Sequence, residues 1–290
     1  MKFSVSPFLF AALLLVFCGE LSAADGQDLY LVCPEIGLRA FDATTGNALL
    51  GFSNTAPYSA QGVAVSGSNV YVANYSSGNM EDFDALSGQP ISGFNAPNLP
   101  YTLQVAASND ELFLYQASGG PSIQAFSSIT GESVSGFTPV ASGGPIAASD
   151  GYLYVGNEAF NAQTGVRISN FTFGSGGPMT IYGSYFYTMA VTSGLVSVYN
   201  DKIGGQPLGM VALKGGDFYY GGNGGDISSI AVWGSDIYVA GVSEVTGNGV
   251  IDEYDLNTGN PVAGFTSPST VTTLSSIAVA SQVGVPPATV

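Results

Sequence analysis

The stretch Phe41-Asp42-Ala43-Thr44-Thr45-Gly46, followed by Gly51-Phe52, decides the fold because it recurs along the chain. It returns as Phe83-Asp84-Ala85-Leu86-Ser87-Gly88 with Gly93-Phe94, and as Phe126 to Gly131 with Gly136-Phe137. A worn copy runs from Phe160 to Gly165 with Phe171, a fifth from Tyr199 to Gly204 with Gly209-Met210, and a sixth from Tyr254 to Gly259 with Gly264-Phe265. Asp or Asn at the second position can bond the backbone amides of a hairpin, and the closing Gly supplies a positive φ. Each copy is therefore read as the end of one strand, a tight turn and the start of another.

Two more phrases precede each copy. A bulky, aromatic-centred triplet appears as Leu29-Tyr30-Leu31, Val70-Tyr71-Val72, Leu112-Phe113-Leu114, Leu153-Tyr154-Val155, Tyr185-Phe186-Tyr187 and Ile237-Tyr238-Val239. Ahead of it stands a small-residue strand, as in Val63-Ala64-Val65, Val105-Ala106-Ala107, Ile146-Ala147-Ala148, Met179-Thr180-Ile181, Ile230-Ala231-Val232 and Ile277-Ala278-Val279. β-branched and aromatic runs bounded by Gly, Asn and Asp read as strands. Four strands in roughly 40–45 residues are the blade of a β-propeller. Small residues suit the crowded innermost strand, and the bulky triplet suits the next strand outward. The first copy has no small strand before it, and the last small strand, at Ser275–Val279, has no blade after it. The expectation is an all-β, six-bladed β-propeller with four-stranded blades, whose ring is closed by a C-terminal inner strand completing the N-terminal blade.

Composition agrees with this reading. Of 290 residues only 9% are charged and 46% hydrophobic, and 40 glycines and 15 prolines interrupt the apolar runs. That pattern fits short strands with tight turns rather than helices or disorder. There is no histidine, which removes His triads, His-ligated zinc and a His base. Five Lys and Arg against 21 Asp and Glu leave −16, which repels nucleic acid and anionic lipid. Residues 1–24 have the layout of a signal peptide: Lys2, the apolar run Phe8 to Cys18, then Ser22 and Ala24 before a cut at Asp25. The expected product is secreted, to the periplasm, cell surface or medium, without stable membrane insertion. It carries the single thiol Cys33, so no internal disulfide forms, and Cys33 is read as a small buried hydrophobe. The expected division is signal peptide 1–24, propeller 25–280 and tail 281–290.

The phrases Val70-Tyr71-Val72-Ala73-Asn74 and Ile237-Tyr238-Val239-Ala240-Gly241, each followed by the aromatic-Asp-x-x-(Ser/Thr)-Gly turn, resemble secreted bacterial propellers of the NHL and YVTN repeat type. The six-bladed SMP-30/gluconolactonase-like group belongs with them. The resemblance spans residues 25–280 and concerns scaffold phrases, which specify fold and not function. The tail from Val283 to Val290 resembles a degenerate or truncated PEP-CTERM signal. Its Pro-Glu-Pro lacks the Glu, and no apolar helix or Arg cluster follows.

Residues that could carry chemistry are few. Gly221 to Asp226 matches the opening of a calcium nonapeptide, but a single copy cannot stack, so it reads as a glycine loop. The acidic runs Asp252-Glu253-Tyr254-Asp255 and Glu81-Asp82-Phe83-Asp84 read as hairpin carboxylates and solvated edge-strand charge. Loops entering each inner strand and leaving each second strand should surround one mouth of the channel. The ligand-binding candidates there are Asn74, Gln104, Asn157, Glu158, Asp226 and Glu244, with Gln61, Gln116, Tyr58, Tyr75, Tyr101 and Tyr115 in the same set. Amides beside aromatics suit a sugar or another small molecule. Glu158, Asp226 and Glu244 form the candidate metal set, for a divalent cation such as calcium.

Three functions fit these residues. The leading one is a noncatalytic binding and interaction propeller, monomeric, taking an extracellular glycan, small molecule or protein on the loop face. The resemblance to the gluconolactonase-like group implies a second, a metal-dependent lactonase-like hydrolase in which an ion activates water. The third is a structural component of an envelope or matrix.

Overall fold

The computed structural model describes residues 28–52, 59–95, 97–117, 122–171, 173–174, 177–216, 218, 227–243, 246–268 and 274–280. Asp226, Glu244, Gln27 and everything before it, Tyr58 and the tail from 281 lie outside the described residues.

The described chain is all β, in six antiparallel sheets. The first repeat supplies β1 (Asp28–Cys33) and β2 (Gly37–Asp42). The second holds β3 (Ala60–Ser66), β4 (Asn69–Asn74) and β5 (Met80–Asp84), and the third β6 (Thr102–Ser108), β7 (Glu111–Gln116) and β8 (Ser122–Ser127). The fourth is shorter, with β9 (Ile146–Ser149), β10 (Tyr152–Val155) and β11 (Glu158–Asn161). The fifth has β12 (Met179–Tyr182), β13 (Tyr185–Ala190), β14 (Leu195–Asn200) and β15 (Gly209–Ala212). The sixth has β16 (Ile227–Trp233), β17 (Asp236–Val242) and β18 (Gly249–Asp255), and β19 (Ser276–Val279) follows. β19 does not join the sixth sheet. It pairs antiparallel with β1, Ile277 opposite Leu31 and Val279 opposite Leu29, so the first sheet runs β19-β1-β2.

The small-residue strands lie side by side. β3 touches β6, β6 touches β9, β9 touches β12, β12 touches β16, β16 touches β19, and β19 touches β3. Side chains the size of Ala64, Ala106, Ala147 and Ala231 let these backbones approach. Behind them the aromatic-centred strands are the most buried part of the molecule: Tyr30, Tyr154, Tyr238, Phe113 and Phe186 are almost inaccessible to water.

The hairpins close as their sequence dictates. Asp42 Oδ1 accepts the Thr45 amide at 2.7 Å, Asp84 Oδ1 that of Ser87 at 2.8 Å, and Asn161 Oδ1 that of Thr164 at 2.9 Å. Outside the fifth repeat the chain after the turn makes isolated bridges to the third strand, such as Phe41 to Ala48, Phe83 to Pro90 and Tyr254 to Pro261. A fourth strand forms in the fifth sheet alone among the described residues. The expected four-stranded repeat is thus three strands and isolated bridges elsewhere. The cause is local. Pro90 and Pro261 have no N–H to extend the ladder, and Gly51, Gly93, Gly136 and Gly264, at φ between 87° and 99°, turn the chain away.

That reversal brings each Gly-Phe aromatic back onto its own second strand. Phe52 meets Tyr30 and Phe94 meets Tyr71 with ring centroids 5.9 Å apart, Phe171 meets Tyr154 at 5.5 Å, and Phe265 meets Tyr238 at 6.0 Å. The tyrosine hydroxyls then cross to the next repeat. Tyr30 donates to the Ala85 carbonyl at 2.8 Å, Tyr71 to that of Ser128 at 3.0 Å, and Tyr154 to that of Asp201. Each acceptor follows the turn residue of the neighbouring hairpin, so one bond type joins these three pairs of sheets.

Candidate functional site

The six small-residue strands line a cavity of about 440 Å³. Its wall is largely Ala, Val and Ser. Gln104 lines it, and its Oε1 accepts the Ile146 amide at 2.9 Å, which ties β6 to the start of β9. At the end where first strands turn into second strands, Asp150, Asp201 and Lys202 also line the cavity.

The other described candidates sit away from that cavity. Asn74 is buried at the end of β4, where its Oδ1 accepts the Ser77 amide at 2.9 Å and shapes the turn to β5. Gly156-Asn157 is the two-residue turn between β10 and β11, and Asn157 is exposed. Glu158 opens β11 and forms an ion pair with Arg167 at 2.8 Å. Asp226 and Glu244 lie outside the described residues, so the structure says nothing of them beside Glu158. Among the described residues no three Cys, Asp or Glu side chains converge in a metal-sized set.

Tyr75 and Tyr101 do come together, at the loop end between the second and third repeats. Their centroids are 5.4 Å apart, edge to face. The Tyr101 amide donates to the Tyr75 carbonyl at 2.9 Å, and the Ala117 amide to the Tyr101 carbonyl at 3.1 Å. This clamp holds Tyr101 at φ 66°, where a bulky residue costs on the order of 1–2 kcal/mol. Ser59 stands before its own inner strand at φ 75°, so the backbone conformation belongs to the scaffold. Gly would fill it without strain, yet Tyr101 places an aromatic ring there, 45% exposed. Around the pair are amides. Gln116 Nε2 donates to the Pro100 carbonyl at 2.8 Å, and Asn98 Nδ2 donates to Asn79 Oδ1 at 2.9 Å. Neither segment 74–80 nor segment 97–109 contains a charged residue.

The acidic runs correct the sequence reading. Asp82 and Glu253 are 5% and 4% exposed, not solvated. Asp82 stands opposite Tyr71 and Glu253 opposite Tyr238, where the first, third and fourth repeats place Ala40, Ala125 and Ala159. That position faces the neighbouring sheet. Burial pushes the Asp82 carboxyl up to about 6 although Asn69 Nδ2 donates to it at 2.8 Å. Burial also pushes Glu253 up to about 7, with Asp236 and Asp42 adding repulsion, against a 3.1 Å bond from the Tyr238 hydroxyl. Asp82 Oδ1 and Glu253 Oε2 have no hydrogen-bond partner among the described residues. Alternation along the third strand was the available signal, once its register against the tyrosine strand is known. Cys33 is buried as expected, and burial pushes its thiol up to about 12.

Against solved structures, the chain is similar to a chain in the crystal structure of a nidogen/laminin complex. The TM-score is 0.62 at 15% identity, covering 89% of this chain and 99% of that one. The protein is a β-propeller. Weaker likenesses are to a computationally designed protein, Ika8 (TM-score 0.46, 16% identity, 82% of this chain and 70% of that one), and to BamB from Moraxella catarrhalis (0.42, 17%, 80% and 73%). No protein-family model and no curated protein matches the chain. At such identities the likeness establishes the architecture and no activity.

Proposed function

We propose that the protein is a secreted, noncatalytic binding propeller of six blades, closed by β19, that takes an uncharged, hydroxyl-rich ligand on its loop face. The observation that carries the ligand reading is the Tyr75–Tyr101 pair. In a chain of net charge −16 it sits on two segments without charged residues, with one exposed ring, fixed by backbone bonds on both sides and bordered by amides. Sugar rings offer C–H faces to an aromatic surface and hydroxyls to amides, so a glycan fits this patch better than an anion or a cation does.

Closure is supported by bonds repeated around the axis. The Thr266 amide donates to the Thr45 carbonyl at 2.9 Å between the last and first repeats. Asn95 to Thr130 and Thr138 to Thr164 are the same bond at interior junctions, at 2.8 and 3.0 Å.

The test is calorimetric titration with uncharged oligosaccharides of the malto, cello and chito series. Saturable binding by the parent protein should weaken at least tenfold in Tyr101→Gly. That variant removes the ring and supplies the residue the backbone prefers, so its melting temperature should stay close to the parent's. Absence of binding across the panel, or equal binding by the variant, would overturn the reading.

A further inference from the structure

Three positions break the repeat at one end of the cavity. In the second, third and fourth repeats the inner strand ends on a serine, Ser66, Ser108 and Ser149, each paired to the first residue of the next strand. In the fifth and sixth repeats the same register places Tyr182, opposite Tyr185, and Trp233, opposite Asp236. The third position of the six-residue turn phrase is broken as well. There the amides of Ala85, Ser128, Ala162 and Leu256 each donate to a carbonyl in the turn between the first two strands of their repeat. The Asp201 amide makes the same bond, to the Ser184 carbonyl at 3.2 Å. An acid thus occupies a place that otherwise takes a small or apolar side chain.

These exceptions converge. Tyr182, Trp233 and Asp201 all line the cavity, with Asp150 and Lys202 beside them. The two rings are half-buried, their centroids 5.4 Å apart and their planes tilted by 58°, so they make two walls of a corner. Asp201 is 3% exposed, and its Oδ1 has no hydrogen-bond partner among the described residues. Burial raises its carboxyl, while Lys202 pulls it back and Asp150 adds repulsion. A buried carboxylate left unpaired is costly where Ala or Ser would serve the fold, which points to a group that brings the missing positive charge.

Chemistry selects the ligand. Aromatic faces attract a cation through the ring quadrupole, Trp most strongly. Asp150 and Asp201 outnumber Lys202 among the charged residues of the lining, which disfavours an anion. A hard metal ion needs six or more oxygens, and no three acids converge among the described residues. A sugar brings no positive charge to Asp201. At about 440 Å³ the cavity has the size of a small-molecule site.

We propose that this end of the cavity binds a small organic ammonium compound, its cationic head against the Tyr182 and Trp233 rings and the Asp201 carboxylate as its counter-charge. The site lies where inner strands end. The tyrosine patch lies where second strands end and inner strands begin, so the two sites sit at opposite ends of antiparallel strands and stand or fall independently.

Trp233 is the one tryptophan of the chain, so its fluorescence reports on this site alone. The full exported chain is titrated with choline and n-butylamine, with 3,3-dimethylbutan-1-ol as the uncharged copy of choline, and with calcium chloride and glucose. Both amines should change the emission saturably, and choline should bind roughly tenfold or more tighter than its uncharged copy. Asp201→Ala and Tyr182→Ser install residues that other repeats carry at these places, so the variants should fold and melt like the parent. Each should weaken choline at least tenfold, and Tyr101→Gly should leave it unchanged. Absence of a saturable change with both amines would overturn the proposal, as would equal binding of the uncharged copy or full affinity in Asp201→Ala. The same saturable change with calcium or glucose would assign the site to a metal ion or a sugar and overturn it equally.

Discussion

At Gly131 two demands meet on one residue. Its φ is 75°, and an added Cβ would lie 2.2 Å from the Asn95 carbonyl oxygen, inside the neighbouring repeat. Gly46, Gly165 and Gly259 face the same collision with Thr266, Thr138 and Ala212. Gly136, at φ 87°, has nothing within 4 Å of that point. The contrast predicts two sizes of effect. Gly136→Ala should cost about 1 kcal/mol, the left-handed strain alone. Gly131→Ala should cost roughly 3 kcal/mol or more, because backbone must also move apart. Urea unfolding of the two variants measures the difference, and equal losses would show that the turn glycines serve only the turn. The turn function was legible in the sequence, since Asp or Asn and Gly act within six residues of chain. The docking function was not, because its partner lies in another repeat.

Strand pairs and hairpins were readable for the same reason of locality. The aromatic triplets fall inside β1, β4, β7, β10, β13 and β17, and the small strands inside β3, β6, β9, β12, β16 and β19. The outermost strand was over-read. Pro90, Pro261 and the Gly-Phe pairs carried the signal that the segment turns away, and the fifth repeat, with Met210, is where that signal is missing. The hydroxyl bonds between sheets were invisible, because a tyrosine centre and the phenylalanine centre of Phe113 pattern alike. Their contribution can be isolated. Tyr71→Phe leaves the ring against Phe94 and strips the Ser128 carbonyl of this donor. The expected loss is about 1 kcal/mol, with the folded spectrum unchanged. A neutral result in equilibrium unfolding would mean that water replaces the hydroxyl, and sheet-to-sheet contact would then rest on packing alone.

On the scale of the whole molecule, the junction where β19 pairs with β1 combines noncovalent pairing with crowded acid. β19 holds β1 through four residue pairs. Asp28, Asp42, Asp236 and Glu253 act on one another there, and burial raises Asp28 and Glu253 alike. Removing Ser275 onward should bare the β1 edge and lower stability by several kcal/mol or cause aggregation, while a truncated chain that melts like the parent would place closure elsewhere. Acid acts on the same junction in the opposite sense. Glu253 titrates at about 7 in the fold against an ordinary 4.5, so the folded chain keeps a proton that the unfolded chain releases. The stabilisation from that proton is full below pH 4.5 and is lost as pH rises through about 7, on the order of 3 kcal/mol if the whole shift is expressed. Asp82, at about 6, loses its share over a lower window, from 3.8 upward. The protein should therefore melt higher at pH 5 than at pH 8. Glu253→Gln keeps an acceptor for the Tyr238 hydroxyl and has no proton to lose, so it should gain stability at pH 8, gain little at pH 5 and flatten the profile. Melting curves at half-unit pH steps decide the matter: a variant whose profile runs parallel to the parent's would remove Glu253 as the titrating group and leave the general repulsion of a −16 chain as the cause.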